Sequence, residues 1–90
     1  MVSKEEFKRE VWKFAEDINA KPEQIRLRDM KLKKGSCSRK KIITFDKSLL
    51  NMDPSLRREA IIHELLHLRY RHHGKLFKAV LKTYLNEEVP

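Results

Sequence analysis

The stretch Ile61-Ile62-His63-Glu64-Leu65-Leu66-His67-Leu68 matches H-E-x-x-H, and what its two histidines are for decides the fold around them. On a helix, residues four apart lie about 40° from each other, so both imidazoles point the same way, one turn apart. That spacing suits two neighbouring vertices of a zinc tetrahedron. Glu64 stands beside them, able to reach water at the metal without ligating it, and to act as general base. With four His and nine Glu in ninety residues, chance arrangement yields about 0.02 such matches. The plain alternative is two surface histidines flanking a solvated acid. Against it, Ile61-Ile62 and Leu65-Leu66 make this the most apolar helical stretch of the chain. Imidazoles set there need hydrogen-bond partners or a metal.

Outward from the motif, Asp53-Pro54 is a helix start, an acid cap followed by proline in the first turn. Leu56, Ala60, Ile61, Leu65 and Leu68 keep helical spacing to about Tyr70. A last helix is expected over 74–85, with Leu76, Phe77, Val80, Leu81 and Tyr84 on its apolar side. Upstream, Phe7, Val11, Phe14, Ala15 and Ile18 form an apolar stripe over 3–19, and Ser3 with Glu6 has capping-box spacing. Trp12 reads as core. Residues 25–33 alternate as a strand, 34–38 read as a turn, and 42–45 form a β-branched and aromatic second strand. These two strands are expected to pair as an antiparallel β-hairpin, with 42–45 as an edge to which a peptide could add. The expected fold is therefore a single α+β domain over 1–90: N-terminal helix, antiparallel hairpin, H-E-x-x-H helix and C-terminal helix.

Two histidines do not complete a catalytic zinc site, which normally has three protein ligands. The candidates are His72, His73, Glu87 and Glu88. On a continuous helix His73 would sit about 120° from His67, so an imidazole from this region can ligate only if the helix breaks. Gly74 offers a place for that break, and a turn at 71–73 would bring His73 back.

The composition sets the remaining bounds. Ninety residues with a formal charge of +8 and 38% charged side chains make one small domain whose core is marginal unless something staples it. No apolar run approaches the roughly 18 residues of a membrane span, and the charged start lacks the apolar core of a signal peptide. A single cysteine, Cys37, makes no internal disulfide, pointing to a reducing, cytoplasmic setting. The basic excess is concentrated: residues 21–45 hold nine Lys or Arg against two acids, and Lys31, Lys33, Lys34, Arg39, Lys40 and Lys41 crowd 31–41. Such a patch attracts phosphate backbones or an acidic protein surface, although no aromatic residue interleaves it to stack on bases. Tyr70, Tyr84 and His72 are candidate oxyanion donors.

The segment His63-Glu64-Leu65-Leu66-His67-Leu68, four residues, His73, three residues, Phe77 resembles the signature of the YgjP-like metallopeptidases, H-E-L-x-H-L, four variable residues, H, three more, then an aromatic. Upstream, Met30-Lys31 and Gly35-Ser36-Cys37-Ser38, the strand at 42–45 and Pro54 resemble that family's M-K-x-x-x-G-S-C-S segment and following strand in the same order. Lys34 stands where the family usually has an aromatic. The likeness spans about 25–85. SprT-like and WLM-type proteases share the layout more distantly. The resemblance implies a minimal zincin-like peptidase with Zn2+ held by His63, His67 and His73, Glu64 as catalytic acid/base, and a protein or peptide substrate. Metzincins need Gly three after the second histidine, where this chain has Tyr70; glutamate-helix zincins would use Glu87 or Glu88 instead of His73. A reading of another class is a zinc-stabilised binding module that applies its basic face to nucleic acid or an acidic partner, with no membrane role. SprT-like relatives act on DNA-linked proteins, so the two readings are compatible.

Overall fold

The computed structural model describes residues 1–86. In chain order it contains α1 (Lys4–Asp17), β1 (Gln24–Arg28), β2 (Gly35–Cys37), β3 (Ile42–Asp46), a 3-10 turn (Lys47–Asn51), α2 (Pro54–Leu66) and α3 (Lys75–Asn86). The α+β architecture with helices at both ends is as the sequence leads one to expect. No helix among the described residues is long and apolar enough to cross a membrane.

Helix α1 starts with the capping box, Ser3 and Glu6 exchanging side-chain and backbone hydrogen bonds. It ends at Asn19, which takes the left-handed conformation (φ 56°) that asparagine tolerates. Phe7, Val11 and Ala15 face the core, and the Phe7 ring meets Phe45 edge-on at 5.3 Å. Trp12 corrects the expectation of a core residue. It lies one helical step, about 100°, from Val11, and is 44% exposed.

The sheet is the main departure from the hairpin read in the sequence. Its strand order is β1-β3-β2, with β1 parallel to β3 and β2 antiparallel to it. The strand expected over 25–33 stops at Arg28, and residues 29–41 supply the roughly dozen-residue connection that parallel neighbours require. Alternation matches Ile25 with Ile43 and Leu27 with Phe45 on one face, a match that either strand direction satisfies, so the pattern alone could not choose. The antiparallel hairpin that does exist is β2–β3. Its turn is at 38–41, where Ser38 and Ile42 pair through their backbones and Lys41 is left-handed at φ 64°. Strand β3 is thus central, and the open edge beside α2 belongs to β2.

Gly35 misled because glycine commonly marks a turn; here it is extended backbone. A Cβ at this position would lie 2.7 Å from Glu64 Cγ, below any real contact. Glycine is required so that β2 can pass directly over α2. Asp46 pins the incoming loop. Its carboxylate accepts from Met30 N at 2.6 Å and from the Ser48 amide and hydroxyl, while its own N–H donates to the Lys34 carbonyl at 2.9 Å. The Ser48 hydroxyl, first among these, holds the Asp46 carboxyl below its usual range. The core gathers α1, β1, β3, α2 and Phe77 of α3 around Phe7, Phe45, Ile61 and Leu65.

Gly35→Ala is expected to cost about 1–3 kcal/mol of stability, read from the urea midpoint. In a Glu64→Ala background most of that cost should vanish, because the Cγ that the new methyl meets is gone. Equal costs in both backgrounds would show that Gly35 is needed for some other reason.

Candidate metal centre

Helix α2 begins with Asp53 accepting from Ser55 N at 3.1 Å and with Pro54 in its first turn. It carries His63 and Glu64 on its last turn and stops at Leu66, earlier than the expected Tyr70, with His67 as its C-cap. H-E-x-x-H therefore straddles the end of the helix. The last carbonyls are taken up by tight turns: His67, Leu68 and Arg69 donate to residues three back, and Tyr70 N donates to Leu66 O at 2.8 Å. The chain has turned before Gly74, so Gly74 does not cause the break. A Cβ there would meet nothing within 4 Å, and the Gly74 carbonyl accepts from Lys78 at the start of α3.

This early stop brings His73 back. His73 Nε2 lies 3.2 Å from His63 Nε2 and 2.9 Å from His67 Nε2, and the latter two are 3.2 Å apart. Four bonds of 2.0–2.1 Å in a tetrahedron place nitrogens roughly 3.3–3.4 Å apart; the triangle is a few tenths of an ångström tighter than that and close enough to hold a metal ion. The donor chemistry agrees. His67 Nδ1 donates to the Tyr70 carbonyl at 2.9 Å, so its Nε2 presents a lone pair to the other rings. Burial, with repulsion from His67 and His73, holds the His63 pKa below its ordinary value and favours the neutral, ligating form. Among the described residues these three histidines are the group able to hold a metal ion.

Phe77 supports all three rings. It stacks on His67 (4.8 Å, 20°), meets His63 edge-on at 5.1 Å, and lies 5.0 Å from His73, while only 3% exposed. The sequence marked it as apolar core of the last helix, and its place one turn after His73 was the available signal. Glu64 is 8% exposed, with Oε2 4.0 Å from His63 Nε2. Burial raises its pKa to about 7, with Lys33 opposing.

The cluster lies in a cleft of about 780 Å³ between α2 and β2. Lys33, Lys34 and Arg71 line it together with Glu59, Met52 and Leu56. The basic stretch is divided by β2: Lys33 and Lys34 precede the strand at the cleft, while Arg39, Lys40 and Lys41 form the turn beyond it. Cys37 lines the cleft outside the histidine cluster. Burial, then Glu64, push its thiol pKa up, against Arg71. Tyr70 contributes a backbone carbonyl, Tyr84 carries on its carbonyl the Arg58 guanidinium at 2.6 Å, and none of Tyr70, Tyr84 and His72 lines the cleft. Arg71, which the sequence marks only as one of the basic residues beside the motif, does. Glu87 and Glu88 lie outside the described residues.

A family model described as YgjP-like, metallopeptidase domain, matches residues 2–88. Among solved structures, the chain is similar to the metallopeptidase zymogen of Pyrococcus abyssi abylysin, at 25% sequence identity and a TM-score of 0.71, over 82% of this chain and 75% of that one. No curated protein matches.

The burial of Glu64 has a measurable pH signature in chelator-treated protein. Its carboxyl ionises near an ordinary 4.5 when unfolded but near 7 in the fold. The folded state therefore holds the proton more tightly, a contribution fully present below pH 4.5 and lost as pH rises through about 7. Glu64→Gln, which copies the protonated side chain, should match wild type near pH 4 and exceed it by about 2–3 kcal/mol above pH 7.5. A stability difference that does not change with pH would show that Glu64 is not desolvated.

Proposed function

Since the chain belongs to the YgjP-like metallopeptidase family, we propose that it hydrolyses peptide bonds with zinc held by His63, His67 and His73 and with Glu64 as general base. The observation that carries this reading is the triangle of Nε2 atoms 2.9–3.2 Å on a side, beside a buried carboxylate. A zinc ion bound there supplies Lewis-acid polarisation and makes water acidic enough to lose a proton near neutral pH. Glu64 accepts that proton at Oε2, on the cleft side of α2, and passes it to the leaving amine. Its pKa of about 7 suits both directions of transfer. Arg71, at the cleft wall with Lys33 and Lys34, is a cation on the His67–His73 side that could face the developing oxyanion. The open edge of β2 offers unpaired backbone groups to an extended peptide, taking the part that the sequence assigned to 42–45. On this reading residues 1–90 act as one minimal zincin-like domain, and its lone, unpaired Cys37 suits a reducing compartment such as the cytoplasm.

Glu64→Gln should retain stoichiometric zinc by metal analysis and lose peptide or casein hydrolysis by 10²-fold or more, about the usual worth of a general base. His67→Ala should lose both. Purified protein that binds no transition metal, or a Glu64→Gln variant of full activity, would end this reading.

The exposed Arg39, Lys40 and Lys41, which form no ion pair among the described residues, favour a second contact, to nucleic acid, alongside hydrolysis. Duplex DNA binding should then weaken linearly in log–log plots against salt and survive Glu64→Gln. The absence of a salt slope removes nucleic acid as a partner.

A further inference from the structure

The two ends of the cleft differ chemically, and the fold shows which residues share an end. Leu56, Ala60, His63 and His67 recur at spacings of four, three and four, so they line one face of α2. Leu56 stands about 10 Å before His63 along the axis. It is 55% exposed, an open apolar side chain in a strongly charged protein, and belongs to no part of the buried core. Met52, Leu56, Ala60 and Glu64 all line the cleft, Ala60 one turn before Glu64, and the short Ala60 side chain leaves a hollow flanked by the two longer ones, Met52 and Leu56. Lys34 fixes the neighbours of that hollow. Its Nζ donates to Ser48 Oγ at 3.0 Å, on the 3-10 turn that leads into Met52. The Lys33-Lys34 end of β2 and the Met52-Leu56 end of α2 are therefore the same end of the cleft. Lys34 is occupied by Ser48 and by Asp46 at 4.0 Å. Lys33 makes no hydrogen bond or ion pair among the described residues, and its charge is felt at Glu64. Glu59 is the one acid besides Glu64 on the cleft wall.

We propose that the cleft selects extended peptides with a large apolar residue immediately after the scissile bond, seated over Ala60 between Leu56 and Met52, and an acidic side chain one or two residues further on, read by Lys33. The direction follows from β2. Antiparallel addition is the more stable pairing, and a peptide antiparallel to a strand that runs away from Lys34 has its C-terminal side at Lys33. An apolar side chain in the hollow removes Leu56 from water, and a carboxylate beside Lys33 gains an otherwise unpaired cation. This specificity rests on the peptidase reading above and names its substrate class.

The test uses the zinc-loaded protein and short acetylated, amidated peptides, which carry no terminal charge. One position holds Leu or Ala, and the position two residues later holds Glu or Lys; products are located by mass spectrometry. The expected result is cleavage before Leu, with kcat/KM about tenfold or more above Ala. Glu should exceed Lys by about fivefold at low salt, the gap closing in about 1 M NaCl. Lys33→Glu, at an exposed position, should invert the charge preference and leave the Leu preference intact. Cleavage with no preference at either position overturns the proposal and leaves the peptidase reading standing, as does a charge preference unmoved by Lys33→Glu. Casein cleaved while every peptide stays intact also overturns it. If casein too stays intact, the peptidase reading itself falls.

Discussion

The hydrogen bond from His67 Nδ1 to the Tyr70 carbonyl bears on two features that the site depends on. It sets the tautomer, so that Nε2 faces the other rings as an acceptor. It also goes together with the turn: the Tyr70 carbonyl points back toward His67 where α2 has stopped at Leu66. Once the chain has turned there, the five residues between His67 and His73 cover a shorter distance than the roughly 1.7 turns a continuing helix would need, and the third imidazole reaches the first two. The same turn sets the direction of α3, whose Phe77 then lies under all three rings. The ligand triangle and the packing of the last helix are thus one arrangement. A metal held by residues on both sides of the turn would bind α3 to the rest of the fold, a gain that matters in a domain of this size.

Close packing of β2 on α2 depends on a missing side chain. Glu64 occupies the space that a Cβ of residue 35 would need, so strand and helix approach until the carboxylate is nearly dry. That dryness raises the Glu64 pKa to about 7. In the proposed mechanism, the local cost of burying the carboxyl is what would suit it to move protons near neutral pH. Asp46, by holding Met30 and the Lys34 backbone, keeps the loop from lifting β2 off the helix.

Much of this site was legible in the sequence because helical spacing is a geometric fact. His63, Glu64 and His67 could be placed on one face from residue numbers alone. His73 needed a break, and its place was the part that could not be read: Gly74 looked responsible, whereas the chain turns at 67–70, where the Tyr70 carbonyl accepts from His67. The sheet was misread for a related reason. Alternation records which face a residue occupies and says nothing of the direction of its neighbour, so β1 and β3 fit either pairing. Gly35 has two physical uses, a turn or a close approach, and only its neighbour across the cleft tells them apart. Leu56 illustrates the converse. Its spacing matched the core stripe of α2, but the stripe turns toward the cleft at its first turn, where no element covers it.

The charge excess takes its meaning from the same strand. An open sheet edge invites pairing with another copy of the chain, and proteins discourage this with short edges and lysines. β2 is three residues long, with Lys33 and Lys34 before it and Arg39, Lys40 and Lys41 after it. Two copies approaching edge to edge would bring like charges together at both ends. An extended segment bearing acidic side chains meets the opposite situation, attraction where a second copy meets repulsion. Electrostatically, the basic stretch therefore disfavours edge-to-edge pairing of two copies and favours an acidic occupant, so +8 over the whole chain bears most directly on these few residues beside three histidines and a glutamate.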